Sequence, residues 1–445
     1  MLENVPPISL HVDPMALSPE RFAEALRALS IRRFSFTVEG GEVFCSHPAL
    51  EPLATRIRSD QRDYDLHEGL FFQVSAHAPI IHGAFIHRSF RGQGQGGTRF
   101  WRYDRLDEYL FDGIRLSRGM SQKNALAGLW WGGGKGVISC PPDFDRSDRA
   151  LRQAVFQEYG DFISSIGGAY VTAEDVGTNT EDMGWIFSKT RFITCIPGAF
   201  GGSGNPSSAT ARGVVVAMEA ALEARGEGTL HGKRVVVQGV GHVGEVIIEL
   251  LLEGGAEVLA SDINVARVSA LREKWVESAV QLRVSARGDL SVLETPCDIL
   301  CPAATGAVIN QETIPKLRCK IICGAANNQL EDPARDDELL RDRGITYLPD
   351  FLVNRMGIVN CANEQYGRVG EDPSFERHLG REWDQSVYQT SLRVLERAKR
   401  EGVGPHQAAV SLADELSQEL HPIWGHRGAE IIAARRRDGW ATAAD

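Results

Sequence analysis

The sequence predicts an α/β protein of two domains, one with a mixed β-sheet and one with a parallel β-sheet between layers of helices. A chain of 445 residues is long enough for two or three domains. In the second half, short apolar strands alternate with helical patterns, which is typical of a parallel sheet. In the first half, alternating strands mix with amphipathic helices. The Gly/Pro/Ser-rich stretch GGSGNPSSAT, which begins at residue 201, separates the two regions.

Composition and charge exclude several classes of protein. The hydrophobic share of 43% and the charged share of 24% are ordinary for a soluble globular protein. The net charge of -11 argues against a nucleic-acid or anionic-membrane partner. No run approaches the roughly 18 apolar residues of a membrane span, and the N-terminus does not resemble a signal peptide. We therefore expect a cytoplasmic protein.

Four of the eight cysteines form two CxxxC pairs, Cys297 with Cys301 and Cys319 with Cys323. Both pairs lie in apolar runs, CDILC and CKIIC, that are typical of buried strands. Four residues of a strand span roughly 13 Å, which is too far for two ligands of one tetrahedral zinc. The pattern therefore predicts reduced, packed thiols and no metal site.

Residues 1–65 form a mixed N-terminal stretch with one helical pattern, SPERFAEALRALS, whose N-cap is Ser18. Its apolar stripe needs a partner, so this stretch either packs on the first domain or a subunit interface, or is a loosely attached extension. We favour packing. Between residues 66 and 204 the predicted strands are GLFFQVSAH and IIHGAFIH, and LDEYLFDGIRLSRGM is a predicted helix.

From residue 205 onward the elements alternate regularly. A long helix is predicted in ATARGVVVAMEAALEAR, followed by the strand–helix units KRVVVQGV with HVGEVIIELLLEGG and AEVLASDI with VARVSALREKW. Further strands are predicted in CDILCPAA, KIICGAA and GITYLP, and the last 60 residues are predicted to be helical.

The turn GVGHVG, at residues 239–244, is a GxGxxG motif between a β-branched strand and a helix. Gly239 permits the tight turn, Gly241 lets a pyrophosphate approach the backbone, and Gly244 lets the helix pack on the strand. The helix N-terminus presents N–H groups and a positive dipole end to the phosphates. Although a glycine-rich turn that binds nothing remains possible, this context predicts a Rossmann-type dinucleotide site at Gly239, Val240, Gly241, His242, Val243 and Gly244.

An acidic residue follows this turn at the expected spacing. Asp262 ends the next strand, 23 residues after Gly239, and is followed by Ile263. A carboxylate there accepts hydrogen bonds from the ribose hydroxyls of the adenosine and repels a 2′-phosphate. The sequence therefore predicts NAD rather than NADP as the cofactor.

A lysine stands at an unusual place in GLWWGGGKGVIS, residues 128–139. Only 8 of the 48 basic residues are Lys, and two of them lie close together here, Lys123 just before this stretch and Lys135 within it. Because a desolvated Lys can lose its proton whereas Arg cannot, Lys135 is a candidate for proton chemistry; a surface lysine in a glycine turn is the alternative.

In YVTAEDVGTNTEDM, Asp175 is either a salt-bridge partner or an acid/base group, and the spacing alone favours the salt bridge.

Eight ordered blocks, from about residue 66 to the C-terminus, resemble the glutamate/leucine/phenylalanine/valine dehydrogenases, and most closely the leucine and phenylalanine branch. They read GMSQKNALAGLWWGGGKGVIS, TAEDVGTNTEDM, SGNPSSATARGV, VVVQGVGHVGEV, SDIN, CDILCPAATGAVIN, GAANNQL and NRMGIVNCANEQYG.

The resemblance implies roles for five residues. Lys135 would activate the water that attacks an iminium carbon, and Asp175 would carry the amino-group proton. Lys123 would pair with the substrate α-carboxylate. Asn327 would lie near substrate and nicotinamide, and Thr210 near the nicotinamide amide. A second ammonium and the glycine backbone would disfavour the charged form of Lys135, and the glycines would let substrate and a closing domain approach it.

The resemblance also implies a side-chain pocket. In the family, the residue before GGTR contacts the substrate side chain, and it is apolar in leucine-type enzymes and lysine in glutamate enzymes. Here it is Gln95, followed by Gly96. The other pocket positions correspond to Ala173, Ile358 and Cys361. These residues predict an apolar or aromatic L-amino acid as substrate, with Trp130 and Trp131 placed either at the pocket or in the core.

Together these inferences predict an NAD-dependent L-amino-acid dehydrogenase. The N-terminal extension spans residues 1–65. The substrate domain comprises 66–204 and is completed by helices of 384–445, and the NAD domain comprises 205–383, with a cleft between the two. We expect a homo-oligomer that acts on a small L-amino acid, its 2-oxo acid and ammonium. The alternatives are a glutamate dehydrogenase, against which the missing lysine speaks, and a non-catalytic NAD-binding relative or scaffold, which would need none of Lys123, Lys135 and Asp175.

Overall fold

The computed structural model describes residues 13–276, 279–367 and 371–442. These residues form two compact units. The first contains the described residues of 1–125, 129–204 and 415–445, and the second contains those of 126–128 and 205–414.

A seven-stranded mixed sheet forms the centre of the first unit. The strand order is β2-β1-β3-β4-β6-β5-β7, with β5 parallel to β6 and β7 and the remaining neighbours antiparallel. All residues of β3, β4 and β6 are buried, so both faces of the sheet are covered there. The strands are β1 (Arg33–Glu39), β2 (Glu42–Cys45), β3 (Gly69–Val74), β4 (Ile81–Ile86), β5 (Gly94–Trp101), β6 (Gly132–Ser139) and β7 (Tyr170–Glu174).

Five helices precede the second unit along the chain, and one more returns to the first unit at the C-terminus. Ser18 is the N-cap of α1, as predicted, and its side chain accepts a hydrogen bond from the N–H of Arg21. These helices are α1 (Pro19–Ala28), α2 (Glu51–Ser59), α3 (Leu106–Leu126), α4 (Arg149–Ser165) and α5 (Thr180–Phe187), with the C-terminal Arg427–Arg437.

The described part of the N-terminal stretch, residues 13–65, is built into this unit. β1 pairs with β3, and Phe34 stacks on Phe72 with ring centroids 4.6 Å apart. Phe22 of α1 and Leu53 of α2 are fully buried in the same cluster. These residues therefore supply one wall of the core and two strands of the sheet rather than a loosely attached addition.

A six-stranded sheet forms the second unit, and all its pairings are parallel. The strand order is β10-β9-β8-β11-β12-β13, so the chain reverses direction across the sheet between β8 and β11. This is the doubly wound order of dinucleotide-binding domains, in which ligands bind at the carboxyl ends of the strands at that reversal. The strands are β8 (Arg234–Gln238), β9 (Glu257–Asp262), β10 (Val280–Val284), β11 (Ile299–Pro302), β12 (Ile321–Ile322) and β13 (Thr346–Tyr347).

The helices of the second unit extend further along the chain than the predicted domain end at residue 383. The hydroxyl of Tyr388 donates a hydrogen bond to Glu223, and Arg381 donates to Glu219, which ties this region to the helix of residues 207–224. The predicted boundary therefore differs from the observed one, since only residues from 415 onward return to the first unit. The helices are α6 (Ser207–Ala224), α7 (His242–Glu253), α8 (Val265–Lys274), α9 (Pro333–Asp342), α10 (Asp350–Val353), α11 (Met356–Glu364), α12 (Pro373–Arg377), α13 (Val387–Glu401) and α14 (Pro405–Ser417); the C-terminal helix is α15.

The eight cysteines are free thiols. Cys301 lies in β11 and Cys323 directly after β12, and both are fully buried. Burial raises the pKa of the Cys301 thiol to about 12, so the thiol is protonated at neutral pH and packs as a small apolar group.

Among the described helices, none has the length and apolar character needed to cross a membrane.

Candidate active site

Lys135 lies in the middle of β6, a strand that is buried along its whole length, and only 5% of the residue is exposed. The neighbouring glycines are needed for packing within the unit. A Cβ at Gly133 would lie 2.0 Å from Ser121 Oγ, and one at Gly136 would lie 2.1 Å from Thr98 Oγ1. These two glycines therefore let α3 and β5 pack closely on β6. That the glycines also let substrate approach Lys135 stays a prediction.

The side chain of Lys135 contacts a carboxylate from another strand. Its Nζ lies 2.5 Å from Oδ2 of Asp175, which directly follows β7. Burial by itself would raise the pKa of Asp175, but the Lys135 ammonium and the Arg99 guanidinium outweigh burial and hold that pKa below its ordinary value. The two residues named from the sequence are thus a hydrogen-bonded ion pair. The crowding of Lys135 by a second ammonium stays a prediction.

Lys123 lies in the last turn of α3, and that turn is attached to the sheet by the next residue. Asn124 donates through Nδ2 to the carbonyl oxygen of Gly132 at 2.7 Å and to that of Gln95 at 3.3 Å. It is fully buried. Sequence reasoning missed Asn124, although it stands in the quoted block GMSQKNALAGLWWGGGKGVIS. Its role is to connect the helix that carries Lys123 to the two strands of the candidate site.

The proposed pocket residues are buried. Gln95 of β5 is 0% exposed, and its amide Oε1 and Nε2 have no hydrogen-bond partner in the described part of the chain. Gly96 has no room for a side chain, since a Cβ would meet the carbonyl oxygen of Gly134 at 1.9 Å. Ala173 is buried on the neighbouring β7. In the second unit, Ile358 and Cys361 are buried on α11, three residues apart and so on one helix face.

The two tryptophans differ in their surroundings. Trp131 is buried, whereas Trp130 is 41% exposed. The guanidinium of Arg91 lies 4.3 Å from the ring centroid of Trp130, and the ring of His421 lies 5.5 Å away. Trp130 therefore belongs to a cation–π contact at the surface of the first unit.

The GxGxxG turn has the geometry that the motif predicts. Gly239 has φ of 104°, which favours glycine, and a Cβ there would lie 2.8 Å from Ala304 Cβ. A Cβ at Gly244 would meet the carbonyl oxygen of Gly239 at 2.1 Å. At Gly241, the N-cap of α7, no described atom lies within 4 Å of a Cβ. Space for a ligand is thus left at Gly241, and His242 and Val243 begin a helix whose N-cap has no side chain to accept from its N–H groups.

Asp262 ends β9 beside this turn, and its carboxylate organises the local backbone. Its Oδ2 accepts from the N–H of Val240 and its Oδ1 from the N–H of Asn264, each at 2.8 Å. Ile263 is 58% exposed. Arg267, which sequence reasoning missed, donates through Nε to the carbonyl oxygen of Val240 at 3.1 Å. The turn is therefore held from β9 and α8 as well as by its own glycines.

Two further candidate residues also lie in the second unit. Asn327 is exposed, and its Oδ1 accepts a hydrogen bond from Asn354 Nδ2 at 2.7 Å. Asn354 was also missed, although it opens the block NRMGIVNCANEQYG. Thr210, in the first turns of α6, donates through Oγ1 to the carbonyl oxygen of Pro206 at 3.0 Å. Asn354 thus fixes the orientation of the Asn327 amide.

A parallel sheet with a dinucleotide turn in one unit, and a buried Lys–Asp pair in the other, define a two-domain dehydrogenase. The model of the Glutamate/Leucine/Phenylalanine/Valine dehydrogenase family matches residues 201–416. The model of the Glu/Leu/Phe/Val dehydrogenase dimerisation domain matches residues 80–192. The chain belongs to this family and is an amino-acid dehydrogenase that uses a nicotinamide cofactor. The fold class and the family predicted from the sequence are confirmed.

Relatives with known names are similar over most of their length. Leucine dehydrogenase of Geobacillus stearothermophilus is 41% identical over 84% of this chain and 97% of that protein. Phenylalanine dehydrogenase of Lysinibacillus sphaericus is 36% identical over 73% of this chain and 81% of that protein. The crystal structure of L-tryptophan dehydrogenase from Nostoc punctiforme is 30% identical, with a TM-score of 0.65, and covers 79% of this chain and 96% of its own.

Proposed function

We propose that this chain catalyses the reversible, NAD-dependent oxidative deamination of an apolar or aromatic L-amino acid. An L-amino acid, NAD⁺ and water give a 2-oxo acid, ammonium, NADH and a proton. The observation that carries the proposal is the contact between Lys135 Nζ and Asp175 Oδ2, 2.5 Å long and largely buried. A scaffold that only bound NAD would not need such a pair.

A nicotinamide cofactor, when bound, would supply the acceptor for the hydride that leaves the substrate Cα. The chain itself must then supply proton transfer, because the resulting iminium is hydrolysed by water. Lys135 first passes its proton to Asp175 and then takes a proton from the attacking water, while Asp175 gives its proton to the departing amino group. Since one hydrogen bond joins the two residues, a proton can pass between them as the reaction proceeds. Lys123 provides the positive charge that binds the substrate α-carboxylate.

The second unit supports NAD as the cofactor. The turn at Gly239 and Gly241 leaves space for a pyrophosphate beside the N-terminus of α7. Asp262 places a negative charge at the end of β9, where a 2′-phosphate would be repelled. We propose that Thr210 lies near the nicotinamide amide and that Asn327 lies near the substrate and the nicotinamide. Both oxygens of the Asp262 carboxylate accept from backbone N–H groups. Among the described residues no positively charged group contacts this carboxylate, so its charge is not neutralised.

The proposed pocket residues support a substrate with an uncharged side chain. Gln95 offers an amide, which can make one hydrogen bond but cannot form an ion pair with a substrate carboxylate. Ala173, Ile358 and Cys361 are small or apolar. The relatives named for leucine, phenylalanine and tryptophan fit such a pocket. We therefore propose that leucine-like or aromatic amino acids, including tryptophan, are preferred over glutamate.

Two properties of the whole protein follow as proposals. The match of residues 80–192 to a model described as a dimerisation domain supports a homo-oligomer. The eight free thiols fit a reducing, cytoplasmic compartment. Light scattering after size-exclusion chromatography tests the first, and a monomer at micromolar concentration would contradict it.

One experiment tests the function as a whole. Formation of NADH or NADPH is followed by absorbance with a panel of L-amino acids, with NAD and NADP supplied in parallel. The proposal requires turnover with NAD and with leucine, phenylalanine or tryptophan. Highest activity with glutamate or aspartate would contradict the pocket, and inactivity with every amino acid would favour a non-catalytic role.

A further inference from the structure

Arg99 of β5 connects the candidate acid/base residue to a second carboxylate. Its Nη1 donates to Oδ2 of Asp112 at 2.7 Å, and its Nε lies 3.6 Å from Oδ2 of Asp175. In the described part of the chain Nε has no hydrogen-bond partner, and the side chain is only 21% exposed. The guanidinium therefore spans two acidic groups and has an N–H available on the side of Asp175.

Asp112, on α3, is a rigid anchor for that guanidinium. Its Oδ2 also accepts from the hydroxyl of Tyr103 at 2.7 Å, and its Oδ1 accepts from Arg115 Nη2 at 2.8 Å. Its side chain is 9% exposed. With three donors on one buried carboxylate, Asp112 has little freedom to move, and Arg99 is held in place with it.

The charges that surround Asp175 come from several elements. Lys135 lies on β6 and Arg99 on β5, and both attract the carboxylate. Tyr170 and Glu174 on β7 are the titratable neighbours on its own strand, and α3 carries Lys123 in its last turn. Two cations therefore share one oxygen of Asp175, and only one of them, Lys135, has an assigned part in the reaction.

We propose that Arg99, held by Asp112, is a positioning residue for Asp175: it keeps the Oδ2 atom directed at Lys135 and keeps the group in its carboxylate form. This inference rests on the proposed function, in which Asp175 exchanges a proton with the amino group of the substrate. A carboxylate that stays ionised can accept that proton over a wider range of acidic pH. Because Arg99 remains charged throughout, its influence on Asp175 does not vary with pH.

The sign of the effect follows from the charges. Removing a cation beside a carboxylate raises the pKa of that carboxyl, by roughly 1–3 units for a neighbour at this range. If Asp175 must be ionised to act, the acid limb of the pH profile of kcat/KM moves to higher pH by about the same amount. A residue that merely supported the fold would change amount or melting temperature without moving this limb.

The test compares pH profiles of kcat/KM for the preferred amino acid in four proteins. Arg99→Gln should move the acid limb to higher pH by roughly one unit or more. Arg99→Lys, which keeps the charge, should leave the limb close to its original pH. Arg102→Gln is the matched control, since Arg102 lies three residues along, is 58% exposed and pairs only with the exposed Asp104 in the described structure. Its limb should coincide with that of the unmodified protein.

A second variant covers the case in which Arg99→Gln does not fold. Asp112→Asn keeps Arg99 but weakens its anchor, and should give a smaller shift in the same direction with a lower kcat. An unmoved acid limb in folded Arg99→Gln would overturn the inference, and so would an unmoved limb in Asp112→Asn if Arg99→Gln does not fold. Absence of turnover in the unmodified protein, by contrast, would contradict the proposed function itself.

Discussion

Lys135 and Asp175 are 40 residues apart in the chain, yet a hydrogen bond of 2.5 Å joins their side chains. Lys135 lies on β6 and Asp175 directly follows β7. Because β5 separates these two strands, the two side chains meet across β5. Gly97 of that strand makes this possible, because a Cβ there would lie 2.7 Å from Cβ of Asp175. The pair thus depends on backbone packing as much as on its own charges.

Replacing Lys135 with Arg tests whether this lysine exchanges a proton. Arg keeps the positive charge beside Asp175 but cannot deprotonate, so kcat should fall by roughly 100-fold or more at saturating substrate. Steady-state kinetics measure the change. Lys189→Arg is the matched control, since Lys189 is 40% exposed and pairs with Asp161 at the surface. Near-full turnover in Lys135→Arg would mean that Lys135 acts only as a charge.

A side chain at Gly97 should displace Asp175. In Gly97→Ala the added Cβ would also lie 2.7 Å from the carbonyl oxygen of Glu174, which is backbone and cannot move cheaply. We expect kcat to fall on the order of 10- to 100-fold. Gly119→Ala is the control, because a Cβ at this position of α3 meets no described atom within 4 Å and should stabilise the helix by about 0.5–1 kcal/mol. Equal activity in both variants would show that the pair tolerates displacement.

The charge of Asp262 should set the preference for NAD. Asp262→Ser removes the charge but also the acceptors of two backbone N–H groups, whereas Asp262→Asn keeps one acceptor. Repulsion of about 1 kcal/mol or more is lost in both, so the ratio of kcat/KM for NAD over NADP should fall at least about fivefold. Asp145→Asn, in the first unit, removes a charge that caps Ser147 and should leave the ratio unchanged. Equal use of both cofactors by the unmodified protein would contradict the prediction.

The amide of Gln95 should be costly in the substrate-free protein. It is fully buried without a described partner, so Gln95→Leu should raise the free energy of unfolding by about 1–3 kcal/mol. It should also shift kcat/KM toward leucine and valine. Gln73→Leu is the matched control, because Gln73 is equally buried but accepts from Arg33 Nε at 2.9 Å, and its loss should destabilise the protein. Denaturant unfolding separates the two, and an unchanged substrate ratio in Gln95→Leu would remove Gln95 from the pocket.

The N-terminal strands should contribute to global stability. Phe34 is buried and stacks on Phe72, so Phe34→Ala should cost about 3–5 kcal/mol. Phe44→Ala, on the neighbouring edge strand, should cost much less, since Phe44 is 44% exposed. Deletion of residues 1–60 would expose Phe72 and should prevent stable folding. A deletion variant with the original melting temperature and oligomer mass would show that this segment is dispensable.

Much of the second unit could be predicted from local sequence. The turn at Gly239, Gly241 and Gly244 has a fixed spacing because one strand, one turn and one helix are consecutive in the chain. Apolar strands followed by helices predict a parallel sheet for the same reason. The end of this unit was misplaced, however, because the contact of Tyr388 with Glu223 joins residues 165 positions apart.

The first unit shows the limit of local reasoning more clearly. The sequence by itself determined the family, through eight ordered blocks that resemble it, and that resemblance implied the dehydrogenase chemistry and the candidates Lys135 and Asp175. Only the tertiary structure decided that Lys135 contacts a carboxylate and that Ser121 and Thr98 occupy the space beside the neighbouring glycines. It also decided that Arg99 and Asn124 support the site. Each of these rests on contacts between strands and helices that are distant in the sequence, and such contacts form only when the whole sheet is assembled.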